Sequence, residues 1–198
     1  IDLSAETRIP GQGLHAIRVQ AEGPVVVGRT NDISGPPAAA AEGVVPRPNL
    51  PWGTAIGTGS TVASVDWIVP QLIVGEGQQS MVQVHNPNDG IVVVDARIMG
   101  GEADGEPLAD GIEVAPGDSV ALPLSILKIP AGEVGVSVTA GSPVVVERII
   151  TFVQQKDLSM GIAVPRPVGG NRPIGLARCP SASRRRSCSP AWPPGSLS

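Results

Sequence analysis

Aromatic and charged residues are scarce in this 198-residue sequence, and cysteine is absent before residue 179. Aromatic side chains make up 2% of the chain, which excludes a nucleic-acid binder built on base-stacking platforms. Both cysteines, Cys179 and Cys188, lie near the end, so a fold upstream of them must rest on apolar burial and not on disulfides. No apolar run reaches the roughly 18 residues that a transmembrane helix needs.

What the chain does contain is aliphatic residues and turn formers. Hydrophobic residues make up 41%, enough for a core, while 25 glycines and 21 prolines argue against a long-helix bundle or a coiled coil. The net charge of −4 is unevenly distributed. Residues 1–168 hold 18 acidic and nine basic side chains, a net charge of −9, whereas residues 169–198 hold five arginines and no acid. A body of that charge repels nucleic acid and anionic lipid, so we predict neither as a partner.

An internal repeat recurs at a spacing of 119 residues. Two short strings and two aliphatic positions match: residues 24–29 with 143–148 (PVVVGR and PVVVER), 45–48 with 164–167 (VPRP in both), Ile17 with Val136, and Val19 with Val138. A spacing of this size is that of a domain and not of a solenoid turn.

The repeat predicts a domain organisation. Residues 1–48 correspond to the C-terminal half of a first copy, and residues 61–168 to a complete second copy. Residues 49–60, rich in Gly, Thr and Ser, are predicted to be a linker. Since the first copy lacks its front half, we expect it to be less well ordered than the second. Neighbouring repeats of the same chain are therefore predicted partners of each copy.

Period-2 alternation of aliphatic residues dominates the complete copy and predicts short strands. The predicted strands are Val65–Val69, Ser80–His85, Ile91–Met99, Ile112–Val114, Ser119–Ile126, Val134–Val138, Pro143–Val153 and Ser159–Val164, with an acidic loop at Gly100–Gly111 and a turn at Ala140–Ser142. This pattern is typical of an all-β, antiparallel, immunoglobulin-like β-sandwich. Trp67 is predicted to be the large core anchor, and Pro143 and Pro165 to delimit strands within the repeated strings.

Two arginines occupy the same repeat position, Arg29 and Arg148. Arg148 shares strand phase with Val144 and Val146, so its stem is predicted to pack into the sandwich while the guanidinium pairs with a carboxylate or with backbone carbonyls. A ligand site is the alternative, but recurrence in both copies favours a structural role.

No constellation of residues nominates a catalytic centre, and we predict a protein that is not an enzyme, with no cofactor. His85 lies on the polar phase of its strand and is predicted to face solvent. The acidic loop, with Glu102, Asp104, Glu106 and Asp110, offers oxygen ligands for a hard cation, although a solvated loop is the commoner outcome.

The last thirty residues change in character. Residues 169–198 are rich in Arg, Ser and Pro and contain no acid. We predict a disordered basic tail or the out-of-frame translation of a GC-rich gene; an arm for nucleic acid or another partner is the alternative.

Three strings together resemble a known family. They are Val84–Asp89 (VHNPND), Ala115–Val120 (APGDSV) and Pro143–Arg148 (PVVVER). They resemble an uncharacterised actinobacterial family of secreted or membrane-anchored proteins with tandem β-sandwich repeats. The resemblance covers about residues 1–168, implies an extracytoplasmic location and supplies no catalytic residues.

These observations favour a non-catalytic extracytoplasmic repeat. It would act as a structural spacer, scaffold or interaction module of a cell-envelope or secreted protein, with an envelope protein or glycan as partner. A carbohydrate- or other ligand-binding sandwich is the alternative, with Trp52 as its candidate aromatic platform.

Overall fold

The structure, a computed structural model, describes residue 6 and residues 15–34, 52–152 and 157–166. The strands in these ranges are β1 (Gly28–Ser34), β2 (Trp52–Thr58), β3 (Ser64–Val74), β4 (Gln78–His85), β5 (Val92–Met99), β6 (Pro107–Val114), β7 (Ser119–Pro123), β8 (Gly132–Phe152), β9 (Asp157–Ile162) and β10 (Val164–Pro165). A short 3-10 helix, Leu124–Ile126, follows β7. In the same ranges no helix is long and apolar enough to cross a bilayer.

Two antiparallel layers share strand β8. Its first part pairs with β3 and β5, and this layer is completed by β10 beyond β3 and β6 beyond β5. Its second part pairs with β4 and β9, and β7 lies beyond β4. The predicted all-β antiparallel sandwich is confirmed. Its immunoglobulin-like plan, and its division into one complete copy and half of another, stay predictions.

The core lies between the two layers and consists mainly of the aliphatic residues at alternate strand positions. In β5 every second residue is buried, from Val92 to Ile98, and the residues between them are half-buried or exposed. Trp67 of β3 is 1% exposed. Its indole nitrogen donates to the carbonyl oxygens of Ser64, at 2.9 Å, and Val144, at 3.0 Å. The largest core side chain therefore has its polar atom satisfied where β3 meets β8.

Strand β8 runs unbroken through the segment where a turn was predicted, Ala140–Ser142. Its pairing with β5 ends at Ala140, and its pairing with β4 starts at Val145. The Gly, Ser and Pro residues between these points lie where the strand passes from one layer to the other, as strands do at the corners of sandwiches. Pro143 lies in this crossing, and its carbonyl accepts a hydrogen bond from Asn88 Nδ2 at 2.8 Å.

Strand β3 also continues beyond its predicted end at Val69, because a bulge accommodates Pro70. Val69 lies opposite Val136 and Leu72 opposite Val134, so three steps on β3 match two on β8. Both flanking residues, Val69 and Leu72, are fully buried. Gln71 in the bulge has a positive φ of 55°. A bulge leaves a residue out of the ladder, which is why a proline without an N–H is tolerated there.

The acidic loop is shorter than predicted. Strand β6 begins at Pro107, so Asp110 belongs to a strand and not to the loop. The turn is closed locally: Asp104 Oδ1 accepts a hydrogen bond from the Gly100 amide at 2.7 Å, and the Gly105 amide donates to Ile98 O at 2.9 Å. Gly100 and Gly105 both have positive φ, which glycine adopts without strain.

Part of the predicted linker is a strand. Trp52–Thr58 pairs with β1 in an antiparallel hairpin, with Arg29 opposite Gly57 and Asn31 opposite Ala55. The segment alternates small residues with larger ones, and the small ones share a face with Arg29 and Asn31. The glycines that suggested a linker are therefore one side of a period-2 pattern.

Some predictions lie outside the described residues. The tail, residues 169–198, is one of them, because the structure describes none of its residues. Both cysteines lie in it. Pro165, in contrast, is described: it lies in β10, opposite Trp67.

Candidate functional site

The outer face of the layer formed by β4, β7, β8 and β9 is apolar and covered. Five buried residues form a cluster separate from the main core, four on this face and one on the hairpin: Met81, Ala121, Ile149, Leu158 and Ala55. Ala55 of β2 is 6% exposed. The β1–β2 hairpin therefore packs on the outer face of the sandwich, and we call this contact the docking face.

An ion pair fixes the hairpin to the docking face. Arg29 of β1 donates through Nη2 to Oε1 of Glu147 on β8. The Glu147 side chain is 10% exposed and that of Arg29 is 33% exposed. A carboxylate so far removed from water depends on its partner, because an unpaired buried charge is costly. The pair therefore specifies where the hairpin sits.

Two further contacts join the hairpin to β9. Asn31 Nδ2 lies 2.8 Å from the sulfur of Met160 on β9, and Arg29 Nη2 lies 4.0 Å from the same atom. Opposite Arg29, a Cβ added at Gly57 would stand 3.9 Å from its guanidinium. A Cβ at this distance makes an ordinary van der Waals contact, so a small side chain at position 57 is compatible with the Arg29–Glu147 pair.

An open cleft of about 370 Å³ lies beside the ion pair. It is bounded by the hairpin on one side and by β8 and β9 on the other; the residues that line it are Gly28, Ile56, Gly57, Thr58, Glu147, Met160, Gly161 and Ile162. Its polar groups are the Thr58 hydroxyl, backbone groups of the glycines, and a carboxylate already paired with Arg29.

Arg148 lies on the other face of β8 from Glu147. Its Nη1 donates to the carbonyl oxygens of Pro70, at 3.1 Å, and Gln71, at 3.2 Å. These are the two residues of the bulge in β3. Its stem crosses Gly161 of β9, where an added Cβ would stand 3.6 Å from Nε. Arg148 therefore links β8 to the bulge, while Arg29, at the same repeat position, binds Glu147.

A buried asparagine organises one end of the sandwich. Asn86 is 0% exposed. Its Nδ2 contacts the carbonyl oxygens of Gly90 (2.7 Å), Val114 (2.9 Å) and Ala115 (3.2 Å). Its Oδ1 accepts hydrogen bonds from the backbone and side-chain nitrogens of Asn88. One side chain thus joins the β4–β5 and β6–β7 connections.

Other candidates for chemistry make local structural contacts. His85 is half-buried, and its Nδ1 lies 3.0 Å from Asp118 O and 3.2 Å from Ser119 Oγ. Across the described ranges, no three His, Cys, Asp or Glu side chains are grouped so as to hold a metal ion. In the same ranges every buried side-chain nitrogen or oxygen has a hydrogen-bond partner.

Sequence reasoning missed Glu147 and Asn86. Glu147 could have been found from its neighbours: residues 143–153 are apolar on both strand phases, which predicts a strand covered on both faces, so an acid there needs a partner. Asn86 begins a turn-forming string, and nothing in that string distinguishes a buried amide from an exposed one.

The fold and the docking face define a β-sandwich that carries a docked hairpin. No family model matches the chain, and no curated protein matches it. Among solved structures it is similar to the crystal structure of Thermotoga maritima 1070. The sequence identity is 17% and the TM-score 0.46, over 52% of this chain and 96% of that chain.

Proposed function

We propose that the chain is a non-catalytic β-sandwich repeat that couples neighbouring copies within an extracytoplasmic scaffold. The observation that carries the proposal is the docking face, where a strand of the partial copy is held on the outer face of the complete copy by the Arg29–Glu147 pair and the apolar cluster around Ala55. A spacer that fixes the orientation of its units needs such contacts, because units without an extensive interface move relative to one another. The acidic body and the resemblance to secreted tandem-repeat proteins support the location.

The coupling is tested by hydrogen exchange on the full chain. In Arg29→Ala the amides of β1 and β2 should exchange faster, while those of β4 keep their protection, because the ion pair is lost and the core is untouched. Arg18→Ala is the matched control: Arg18 is an exposed arginine of the same segment, so its removal should change neither region. Equal exchange of β1 in wild type and Arg29→Ala would contradict the coupling role.

The location is tested separately, in cells that carry the gene. Protease added outside intact cells should cleave an epitope-tagged full chain. A tag found entirely in the cytoplasmic fraction would contradict the envelope role and leave the docking contact unaffected.

The cleft beside Glu147 favours a second candidate, a carbohydrate-binding module. Trp52 lies on β2, four residues before Ile56 of the cleft lining. A glycan array probed with the full chain discriminates the two: saturable binding that is lost in Trp52→Ala would favour the carbohydrate module. An array without saturable signal would contradict the carbohydrate module.

A further inference from the structure

Aliphatic side chains at matching repeat positions have opposite environments in the two copies. Val144 and Val146 are both fully buried, whereas the equivalent Val25 and Val27 are 60% and 38% exposed. Two further pairs show the same difference: Val136 and Val138 are buried, whereas the equivalent Ile17 and Val19 are more than half exposed. We call the exposed set, Ile17, Val19, Val25 and Val27, the donor strip. Leaving it in water forgoes the burial that its counterparts have.

The surface that buries the counterparts belongs to strands β3 to β7, residues 64–123, which we call the front half. Val146 lies opposite Val84 of β4, and Val138 lies opposite Trp67 of β3. Since side chains two residues apart on a strand share one face, a segment with aliphatics at this spacing presents the same contacts. The donor strip repeats the spacing, and its string PVVVGR differs from PVVVER at one position.

Polar anchors match as well. Arg148 binds the carbonyl oxygens of Pro70 and Gln71 in the bulge. Arg29, at the equivalent position, carries the same side chain and can make the same two hydrogen bonds once it leaves Glu147. A segment that took the place of β8 would therefore bring both the apolar strip and the cation that the front half accepts.

The chain can also close on itself in this arrangement. In the structure Pro165 lies opposite Trp67, and the Arg166 amide donates to Asp66 O at 2.9 Å. The equivalent residues in the sequence, Pro46 and Arg47, lie outside the described residues. Between Ser34, where β1 ends, and Ser64, where β3 begins, the chain has ample length to turn back into β3, at about 3.3 Å a residue.

We call residues 132–152, which pack against the front half in the structure, the resident segment, and residues 15–34, which carry the donor strip, the donor segment. The resident segment fits the front half better than the donor segment does. Ile150 is buried at 3% exposure, and the equivalent residue of the donor segment is Asn31. An amide at that position would lose its bonds to water and gain few others. The resident segment is therefore the one that packs against the front half in the structure. The donor segment has a lower affinity for the same surface.

We propose that residues 15–34 are a second closing segment for the sandwich, which binds the front half of this same chain in place of residues 134–153 when the resident segment is displaced. The inference rests on the repeat and on burial, and it requires neither the envelope location nor the spacer role.

A double substitution in the full chain tests it. Val146→Asp places a carboxylate between the layers and displaces the resident strand. The donor segment then closes the sandwich, so the Val146→Asp chain keeps a cooperative unfolding transition, with a lowered midpoint. Adding Val27→Asp should abolish the transition, although Val27→Asp alone leaves the wild-type midpoint nearly unchanged. Identical behaviour of Val146→Asp with and without Val27→Asp would overturn the proposal.

The matched control is Val26→Asp. Val26 is the neighbour of Val27 and is 98% exposed, but its counterpart Val145 lies on the other strand phase, facing away from the core. Val26→Asp combined with Val146→Asp should therefore keep the transition. Its loss in that combination would show general destabilisation by an added acid and would overturn the proposal.

A crosslink reports the position of the segment directly. His85 lies opposite Val145, so in the exchanged arrangement it lies opposite Val26. Both designs start from a chain in which Cys179 and Cys188 are replaced by Ser. In the Val146→Asp chain, cysteines introduced by His85→Cys and Val26→Cys should form an intramolecular disulfide. In the unexchanged chain, cysteines introduced by His85→Cys and Val145→Cys should form one. A folded Val146→Asp chain without the first crosslink, or one that crosslinks only between molecules, would overturn the same-chain assignment.

Discussion

Replacing Arg148 with alanine tests the contact between β8 and the bulge of β3. The guanidinium donates to Pro70 O and Gln71 O, and the stem is half-buried across Gly161. A buried methylene contributes about 0.8 kcal/mol, so a half-buried stem contributes about 1 kcal/mol. The two acceptors are exposed and regain water, so their hydrogen bonds add about another 1 kcal/mol. We therefore expect Arg148→Ala to lower the free energy of unfolding by about 2 kcal/mol.

Urea unfolding followed by the fluorescence of Trp67 measures this difference, with Trp52 and Trp192 replaced by Phe so that Trp67 reports alone. Arg148→Met keeps an apolar stem and should recover about half of the loss, about 1 kcal/mol. The m-value should stay constant, because the surface exposed on unfolding hardly changes. An Arg148→Ala chain as stable as wild type would refute the structural role of Arg148 and favour the ligand role weighed for it from the sequence.

Four further outcomes follow from the described contacts. Asn86→Ala should lower the free energy of unfolding by about 3 kcal/mol, since carbonyl oxygens at a buried site lose their donor. Asn86→Asp should lower it further, because the carboxylate faces those oxygens. Urea unfolding measures both changes. Trp67→Phe should lower the free energy of unfolding by about 2–3 kcal/mol, because the ring is smaller and the donor to Val144 O is lost. A decrease below about 1 kcal/mol in urea unfolding would contradict the anchoring role of Trp67. Amides of residues 15–34 should exchange faster than those of 80–152, and slower exchange would contradict the partial-copy prediction. Millimolar calcium should leave the melting temperature unchanged, and a calorimetric binding isotherm would show that the acidic loop holds the ion.

The alternation of aliphatic residues was sufficient to predict the layers but not the places where strands are irregular. Pro70 suggested an end for β3 because proline lacks an N–H, yet the bulge makes that donor unnecessary and lets Val69 and Leu72 both point inward. Likewise, a turn was predicted at Ala140–Ser142, where β8 changes layers. Local turn signals cannot distinguish a chain reversal from a strand that bends between two layers, since the difference lies in pairing partners far along the sequence.

The docking face was harder to predict for the same reason. The side chains of the ion pair, Arg29 and Glu147, are 118 residues apart, and each has an ordinary local context. Arg29 was singled out by its repeat position, which does not indicate the partner of its side chain. The glycines of β2 look like a linker until the register places Gly57 beside Arg29.

Arg29 and Arg148 occupy the same repeat position but make different contacts, because their strands have different surroundings. A strand with apolar residues on both phases can bury either face, and which face it buries depends on which surface remains free. Strand β8 packs against β3, so Arg148 is turned toward the bulge carbonyls. Strand β1 pairs with β2 instead, and Arg29 reaches across to Glu147, whose repeat position in β1 is held by Gly28. Because neighbouring residues of a strand point to opposite faces, Glu147 does not pair with Arg148 on its own strand and is available to Arg29.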